Sequence, residues 1–315
     1  MMRAWQRFMI RLARSGRVRQ ILQEGSLSRR FAGRFIGGVD LSEAIGRAHS
    51  LAEAGFHVSL YFLGKYVDDP RVVEENVNEI IDAVRTLDPA GLDVHLSVDP
   101  AQIGLTLSDE VGMGNARLIG RTIARHSRGN ADCLMLDMED ESVVDRTFAM
   151  HARLREEGVP AAVTVQAYLR RSDEDVRNLI RLGARVRLVK GAFAESSERA
   201  FVRRSEIDRR YLELATLLLS GEAEERGVFT AFGTHDHRLL GALEEMLRAR
   251  PRPAESYEFE MLYGVRPFLQ RRLREQGHPV RLYLPFGAQW WPYTARRIGE
   301  RPANALFIWR SLWWR

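Results

Sequence analysis

Polar and charged side chains stand directly after several short β-type runs of this sequence, where their functional groups could meet. They are Lys65 after the first run, Asp99 after the second, Asp137 and Glu139 after the third, Gln166 after the fourth, Lys190 after the fifth, and Thr234 and His235 after the sixth. Charged groups at the ends of apolar strands are costly unless they are paired or functional. The pattern therefore predicts a polar site.

The run Asp137-Met138-Glu139-Asp140 places carboxylates close together at one of these strand ends. Such a pair suits general acid–base catalysis or a magnesium ion. A strand-end aspartate that is hydrogen-bonded to neighbouring cations would produce the same pattern. The residues alone leave both interpretations open.

The stretch from Arg187 to Phe193 has features of an anion-binding loop. Its strand ends on Lys190, and the small residues Gly191 and Ala192 follow. Small residues in such a turn allow backbone N–H groups to approach an anion closely. Because many loops of this kind contain lysine and glycine, the stretch by itself is a weak indication of phosphate binding.

Two other motifs favour well-known ligands but lack the required context. Thr234-His235-Asp236-His237 resembles part of a zinc site, yet no further ligand cluster with metal-binding spacing is present. We therefore predict a structural or cofactor-contacting His235 and no metal. Gly112-Met113-Gly114 lacks the third glycine of a dinucleotide fingerprint and does not follow a strand, so we reject that interpretation.

The C-terminal stretch from Pro285 to Pro302 is predicted to form a loop followed by a helix, with Pro292 in the first turn and Pro302 beyond the end. The helix contains the adjacent pair Arg296 and Arg297. Paired arginines suit bidentate recognition of a carboxylate or phosphate. Arginine near a helix C-terminus also stabilises the helix dipole, so the pattern alone does not decide between the two roles.

The elements that must position these residues alternate along the chain. The predicted strands are Phe56–Leu63, Leu92–Val98, Asp132–Asp137, Ala161–Gln166, Arg185–Lys190, Val228–Phe232, Tyr257–Met261 and Val280–Leu284. Amphipathic helical stretches lie between them, for example Arg71–Leu87 and Val143–Glu157. This alternation predicts an α/β fold in which eight parallel strands close into a TIM-type (β/α)8 barrel, whose active sites collect at the C-terminal strand ends.

Composition supports one large globular unit and excludes several classes of protein. The chain has 315 residues, 45% of them hydrophobic and 28% charged, so it can form a large core. The net charge of +5 is dispersed rather than concentrated, which argues against nucleic-acid binding. The single cysteine, Cys133, excludes an intrachain disulfide and favours a reducing cytoplasm. No run is long enough to span a membrane.

Taken together, the motifs resemble the proline dehydrogenase family, in particular its short monofunctional bacterial enzymes. The resemblance covers nearly the whole chain. Its most specific parts are Arg187–Ala192, Thr234-His235-Asp236, Phe259–Gly264 and Tyr283–Asn304. It implies a distorted barrel that binds FAD without a Rossmann fold. The helical spacing of apolar residues among arginines near the N-terminus predicts amphipathic helices in residues 1–38, followed by the catalytic domain in residues 39–315. It also implies removal of a hydride from proline, with a quinone or oxygen as electron acceptor.

The resemblance assigns roles to individual residues. It implies that Asp137 and Arg187 form the active-site pair and that Arg296 and Arg297 clamp the substrate carboxylate, while Tyr283, Tyr293 and Leu262 form pocket walls. The FAD contacts that it implies are Met138, Gln166, Lys190, Gly191, Ala192, Thr234 and His235.

The chain departs from the family pattern at the two positions where the charges are exchanged. Asp99 stands where the family has a lysine, and Lys65 where it has a glutamate; Tyr61 and Phe193 replace a further aspartate and tyrosine. One hypothesis is a structural swap, in which Lys65 and Asp99 still pair and Lys65 faces the carboxylate. The other is a changed substrate, such as a modified amino acid or a hydrazine-like compound.

Two weaker hypotheses concern activity and location. A flavin-binding barrel without catalytic activity is one, although Asp137, Arg187 and the arginine pair are all present. Peripheral contact with a membrane is the other, because tryptophans and arginines alternate in residues 307–315. The alternative for this tail is a final helix packed on the barrel.

Overall fold

The structure is a computed structural model that describes residues 33–64, 69–129 and 131–299, with side chains as far as Ala295 in the last range. Most of the N-terminal segment predicted to be helical, Lys65, and the C-terminal tail lie outside the described residues. The predicted division at residue 38 therefore stays a prediction. The helix α1, Leu41–Glu53, precedes the first strand, and Asp40 caps it by accepting a hydrogen bond from the Glu43 backbone N–H.

Eight parallel strands form a closed barrel in which each strand pairs with the next and the eighth pairs with the first. They are β1 His57–Phe62, β2 His95–Val98, β3 Cys133–Leu136, β4 Ala161–Gln166, β5 Arg185–Val189, β6 Phe229–Gly233, β7 Tyr257–Leu262 and β8 Val280–Phe286. The predicted fold class and all eight strands are confirmed. β2 begins later than expected, because the Val94 backbone N–H donates to the Asp132 side chain at 2.6 Å.

Helices connect the strands and cover the barrel. After α1 they are α2 Pro70–Leu87, α3 Asp109–His126, α4 Val144–Glu156, α5 Ser172–Arg181, α6 Arg204–Leu218, α7 Gly221–Glu225, α8 His237–Ala249, α9 Pro267–Glu275 and α10 Trp290–Gly299, with 3-10 turns at Glu141–Val143 and Ala254–Ser256. Gly112 lies within α3, where a Cβ would come 2.9 Å from the Leu105 Cα. It therefore serves close packing in a helix. No helix among the described residues is long and apolar enough to cross a membrane.

The apolar core lies mainly between the sheet and the helices, whereas the barrel interior contains many polar groups. Cys133, Met135 and Ala162 form a small separate apolar cluster. Many strands also have buried polar or charged side chains at alternate positions. Among them are Ser59, His95, Ser97, Thr164, Arg187, Glu258, Glu260 and Arg281. Branched apolar residues usually fill this space. Buried charged groups inside the barrel therefore indicate a role beyond the packing of a hydrophobic core.

Candidate active site

Arg187 on β5 is the centre of the polar cluster at the C-terminal end of the barrel. Its Nε donates to Glu260 Oε2 at 2.7 Å and its Nη2 to Glu260 Oε1 at 2.6 Å, while Nη1 donates to Asp137. Nη2 also donates to Ser97 Oγ at 2.8 Å. Since β2 and β7 are not neighbours of β5, these contacts cross the barrel interior. The predicted pairing of Arg187 with Asp137 is present, at the end of β3.

The charges in this cluster shift one another's ionisation. Burial alone would lower the pKa of Arg187, but Glu260 and Asp137 outweigh it and raise that pKa above its ordinary value. Burial raises the pKa of Asp137 to about 7; Arg187 opposes this rise and the nearby Asp99 adds to it. Arg187 therefore stays a cation, whereas Asp137 exchanges its proton in the neutral pH range.

Two tyrosine–carboxylate pairs lie side by side next to Arg187. Tyr283 donates its hydroxyl to Asp137 Oδ2 at 2.8 Å, and Tyr61 donates to Asp99 Oδ2 at 2.6 Å. The two rings are 5.2 Å apart, and the Arg187 guanidinium carbon lies 5.4 Å from the centre of the Tyr283 ring. Burial and the neighbouring Asp137 and Asp99 hold the pKa of Tyr283 well above 10, so its hydroxyl remains a donor.

Glu139 and Gln166 join the loops after β2, β3 and β4. Glu139 Oε2 accepts the Ala101 backbone N–H at 2.8 Å. Gln166 Nε2 donates to the carbonyl oxygens of Met138 at 3.2 Å and Glu139 at 3.1 Å. Burial raises the pKa of Glu139 to about 8, and the nearby Asp99 adds to this rise. Gln166 Oε1 is buried and has no hydrogen-bond partner in the described part of the chain, which leaves it available to a ligand.

The loop after β5 has a backbone that only glycine accommodates. Gly191 has a φ of 96°, and a Cβ there would come 2.1 Å from the Tyr168 ring. The preceding Lys190 is paired through its ammonium with Asp208 and, at 2.9 Å, with Asp236. Ala192 follows at an exposed position. The Tyr168 ring therefore packs directly against the loop, whose cation is already held by two carboxylates of the protein.

Thr234 and His235 follow β6 and form local contacts. The Thr234 Oγ1 accepts the Asp236 backbone N–H at 3.1 Å, and His235 Nε2 accepts that of Leu262 at 2.8 Å. Because Nε2 accepts, the neutral His235 ring carries its proton on Nδ1. Zinc is not favoured here, since one ring nitrogen is occupied and no cluster of three metal-ligating side chains occurs within the described ranges.

The predicted substrate-binding residues come together only in part. Leu262 ends β7, and Tyr283 on β8 reaches Asp137. Tyr293 lies half-buried on α10, the predicted C-terminal helix, which follows β8. The side chains of Arg296 and Arg297, and the whole of Lys65, lie outside the described residues. Their roles stay predictions.

Sequence reasoning gave no role to Glu260 or Ser97, although both contact Arg187 directly. Glu258 and Glu260 alternate with apolar residues within β7, so their acidic side chains share one face of the strand. Two carboxylates on the interior face of a buried strand require cationic partners. The spacing of Glu258 and Glu260 could therefore have indicated that Glu260 contacts a buried cation. Nothing in the sequence around Ser97 indicates a comparable role.

Comparison with known proteins places the chain in a family. The proline dehydrogenase family model matches residues 44–310. The chain belongs to the proline dehydrogenase family. It is 32% identical to proline dehydrogenase 1 of Bacillus subtilis, over 89% of this chain and 90% of that one. It is 33% identical to proline dehydrogenase of Deinococcus radiodurans, over 88% of each chain.

Solved structures agree on the fold. Proline utilization A from Bdellovibrio bacteriovorus superposes with a TM-score of 0.77 at 23% identity, covering 86% of this chain and 32% of that one. This chain thus spans about a third of that longer protein. The predicted family and its oxidoreductase class are confirmed by the family model and the curated relatives.

Proposed function

We propose that this protein is an FAD-dependent dehydrogenase that removes a hydride from the carbon next to the nitrogen of proline, or of a proline-like amine that carries a carboxylate. The observation that carries the proposal is the buried Arg187, held by Glu260 and Asp137 at the C-terminal strand ends of a family barrel. A fixed cation at this position favours negative charge that develops during hydride transfer.

The residues at the strand ends fit a flavin. Gln166 Oε1 is buried and unpaired among the described groups, so a ligand N–H is a suitable partner. Gly191 and Gly233 allow neighbouring side chains to pack closely against the backbone at the ends of β5 and β6. At Gly233, for example, a Cβ would come 2.8 Å from Val189 Cγ1. We assign Met138, Gln166, Lys190, Gly191, Ala192, Thr234 and His235 to holding FAD, which would supply the hydride acceptor. Lys190 would keep its contacts with Asp208 and Asp236 or exchange one of them.

The remaining residues bind, orient and handle protons. Arg296 and Arg297 would clamp the substrate carboxylate from α10, with Tyr283, Tyr293 and Leu262 forming the walls. Asp137, whose pKa is raised to about 7 by burial, holds Tyr283 and Arg187 in fixed orientations. A quinone or oxygen would take up the electrons afterwards.

The exchanged charges decide between proline and another substrate. Asp99 accepts a hydrogen bond from Tyr61 2.6 Å away and lies near Asp137, so it adds negative charge to the region. An aspartate beside a bound carboxylate repels it by about 1 kcal/mol or more at an effective dielectric constant of about 20, where two unit charges about 4 Å apart repel by about 4 kcal/mol. If Lys65 neutralises Asp99, proline fits; otherwise a substrate with an additional cationic group is favoured.

The decisive experiment is anaerobic reduction of the purified flavoprotein. Each of proline and a panel of cyclic and N-substituted amines is mixed with the protein, and bleaching of the visible flavin band is followed. Fast bleaching by proline would end the changed-substrate hypothesis. Protein that stays colourless after FAD is added would overturn the proposed function. Reoxidation with a quinone or with oxygen then identifies the acceptor.

A further inference from the structure

A row of hydrogen bonds leads from Arg187 into the barrel interior, away from the strand ends. Arg187 Nη2 donates to Ser97 Oγ at 2.8 Å. Ser97 Oγ is 3.1 Å from Ser59 Oγ, which is 2.8 Å from His95 Nδ1. Ser59, His95 and Ser97 are each at most 1% exposed. The row therefore lies in a dry interior, where hydrogen bonds strengthen one another.

The charge of Arg187 fixes the direction of the first hydrogen bond of the row. A guanidinium can only donate, so Ser97 accepts from Arg187 with one lone pair, and the Ser97 hydroxyl hydrogen is free to be donated to Ser59 Oγ, 3.1 Å away. If Ser97 donates to Ser59, then Ser59 donates in turn to His95 Nδ1, which in that arrangement is the unprotonated nitrogen of a neutral ring. Burial, together with Arg281, Arg187 and Arg185, holds the pKa of His95 well below 6.5, in keeping with a neutral acceptor.

The row completes the set of groups that fix Arg187. Glu260 takes up Nε and one Nη2 hydrogen, Asp137 takes up one Nη1 hydrogen, and Ser97 takes up the other on Nη2. Four of the five guanidinium N–H groups are therefore directed at residues that the structure describes, and one on Nη1 is left for a ligand. Glu260 and Asp137 hold three of these N–H groups, and Ser97 adds the fourth contact, from the side of the barrel interior.

We propose that Ser97, Ser59 and His95 are positioning residues that orient the Arg187 guanidinium, with neutral His95 as the terminal acceptor of a one-way row of hydrogen bonds. The proposal rests on the proposed function in assigning Arg187 to the site of hydride transfer. The direction of the row does not depend on that assignment, so part of the test is independent of catalysis.

The first experiment determines the protonated nitrogen of His95. Side-chain ¹⁵N correlation spectra of the full-length protein, assigned with His95→Gln, should show an unprotonated Nδ1 and a protonated Nε2. In Ser59→Ala, which removes the donor, the Nδ1 resonance should move. A proton on Nδ1 of the wild-type protein would overturn the proposal, whatever the enzyme does.

The second experiment measures the effect on Arg187. Ser97→Ala should lower the limiting rate of flavin reduction about tenfold, leave the substrate KM within about twofold, and move the flavin midpoint potential to a more negative value. Ser97→Thr retains a hydroxyl and should recover most of the rate. The matched control is Thr147→Val, which removes a buried hydroxyl of α4 that donates to the Val143 carbonyl outside the barrel interior.

The outcomes separate the two proposals. If the wild-type flavoprotein is not reduced by any amine, the proposed function fails, while the His95 spectra still decide the direction of the row. If the wild-type enzyme is active but Ser97→Ala matches Thr147→Val in rate and potential, Ser97 only fills space and the positioning role is overturned. If Ser97→Ala does not fold, the same comparison is made with Ser59→Ala, for which we expect a smaller loss in the same direction.

Discussion

The barrel interior contains two buried arginine clusters of similar composition at opposite ends. Arg187 near the C-terminal strand ends contacts Glu260 of β7 and Asp137. Arg281, at the N-terminal end of β8, contacts Glu258 of β7 at 2.9 Å and Asp93 at 3.0 Å. Each arginine thus contacts one glutamate of β7 and one aspartate. An arginine paired with carboxylates therefore does not by itself distinguish a catalytic cluster from a structural one.

The surroundings of the two aspartates distinguish the clusters. Burial would raise the pKa of Asp93, but hydrogen bonds from His57 and Arg281 lower it to about 2. Burial raises the pKa of Asp137 to about 7 against the effect of Arg187, and the neighbouring carboxylate of Asp99 adds to this rise. Arg281 also donates to the Val58 carbonyl at 2.8 Å, so its Nε hydrogen and both Nη1 hydrogens are taken up by described residues. We therefore expect the Arg281 cluster to act on stability, since its aspartate is held ionised, whereas the Arg187 cluster contains Asp137, whose pKa is raised.

The largest effect is expected from replacing each arginine. Arg187→Met should reduce the rate of flavin reduction at least about a thousandfold, because a preorganised charge at the reacting centre is lost. Arg281→Met should instead destabilise the protein by about 3–5 kcal/mol, because it leaves buried carboxylates without their cation. Stopped-flow reduction and urea unfolding measure the two effects.

The functional difference between the Arg187 and Arg281 clusters would be contradicted if the two variants behaved alike. An Arg281→Met protein that folds and yet loses the same activity as Arg187→Met would mean that both clusters serve the reaction. An Arg187→Met protein that merely unfolds more easily, with normal flavin reduction per folded molecule, would assign both to stability.

The next effect concerns the titration of Asp137. With its pKa raised to about 7, the ionised form that accepts from Tyr283 and Arg187 grows as pH rises through that value. The rate of flavin reduction should therefore rise with pH around 7. Asp137→Asn should remove this inflection and lower the plateau about a hundredfold. Asp93→Asn is the control: its profile should keep the inflection.

The sequence predicted the barrel well because eight apolar runs at wide spacing leave few other folds. It could not predict which polar side chains contact one another inside the barrel. Ser59 and Ser97 look like ordinary polar residues of strands, and Glu260 lies 73 positions from Arg187. Their contacts exist only because barrel closure brings β1, β2, β5 and β7 around one space. The Asp137–Arg187 pair was predicted from the family resemblance, not from spacing.

A smaller effect is expected from restoring the charges of the family. Asp99 raises the pKa of Asp137, so Asp99→Lys should shift the Asp137 inflection to lower pH. Combined with Lys65→Glu, it should also improve proline turnover by up to about tenfold, since the carboxylate at position 99 is replaced by a cation. The single change Lys65→Glu is the control. If the double variant shows no gain with proline and no shift in pH profile, these positions do not set specificity.

The smallest effect is expected from the titration of Asp93 in the Arg281 cluster. The pKa of Asp93 in the folded protein is about 2, below the ordinary 3.8, so its stabilising contribution is present above the ordinary value and is lost as pH falls toward 2. Between pH 6 and pH 3 this should cost about 1 kcal/mol of unfolding free energy, measured with urea, and Asp93→Asn should lose that part of the slope. Asp137→Asn should not, because the pKa of Asp137 is raised. Equal acid slopes in wild type and Asp93→Asn would show that Asp93 is not held ionised by Arg281 and His57, and the contrast between the two clusters would then rest on the raised pKa of Asp137 alone.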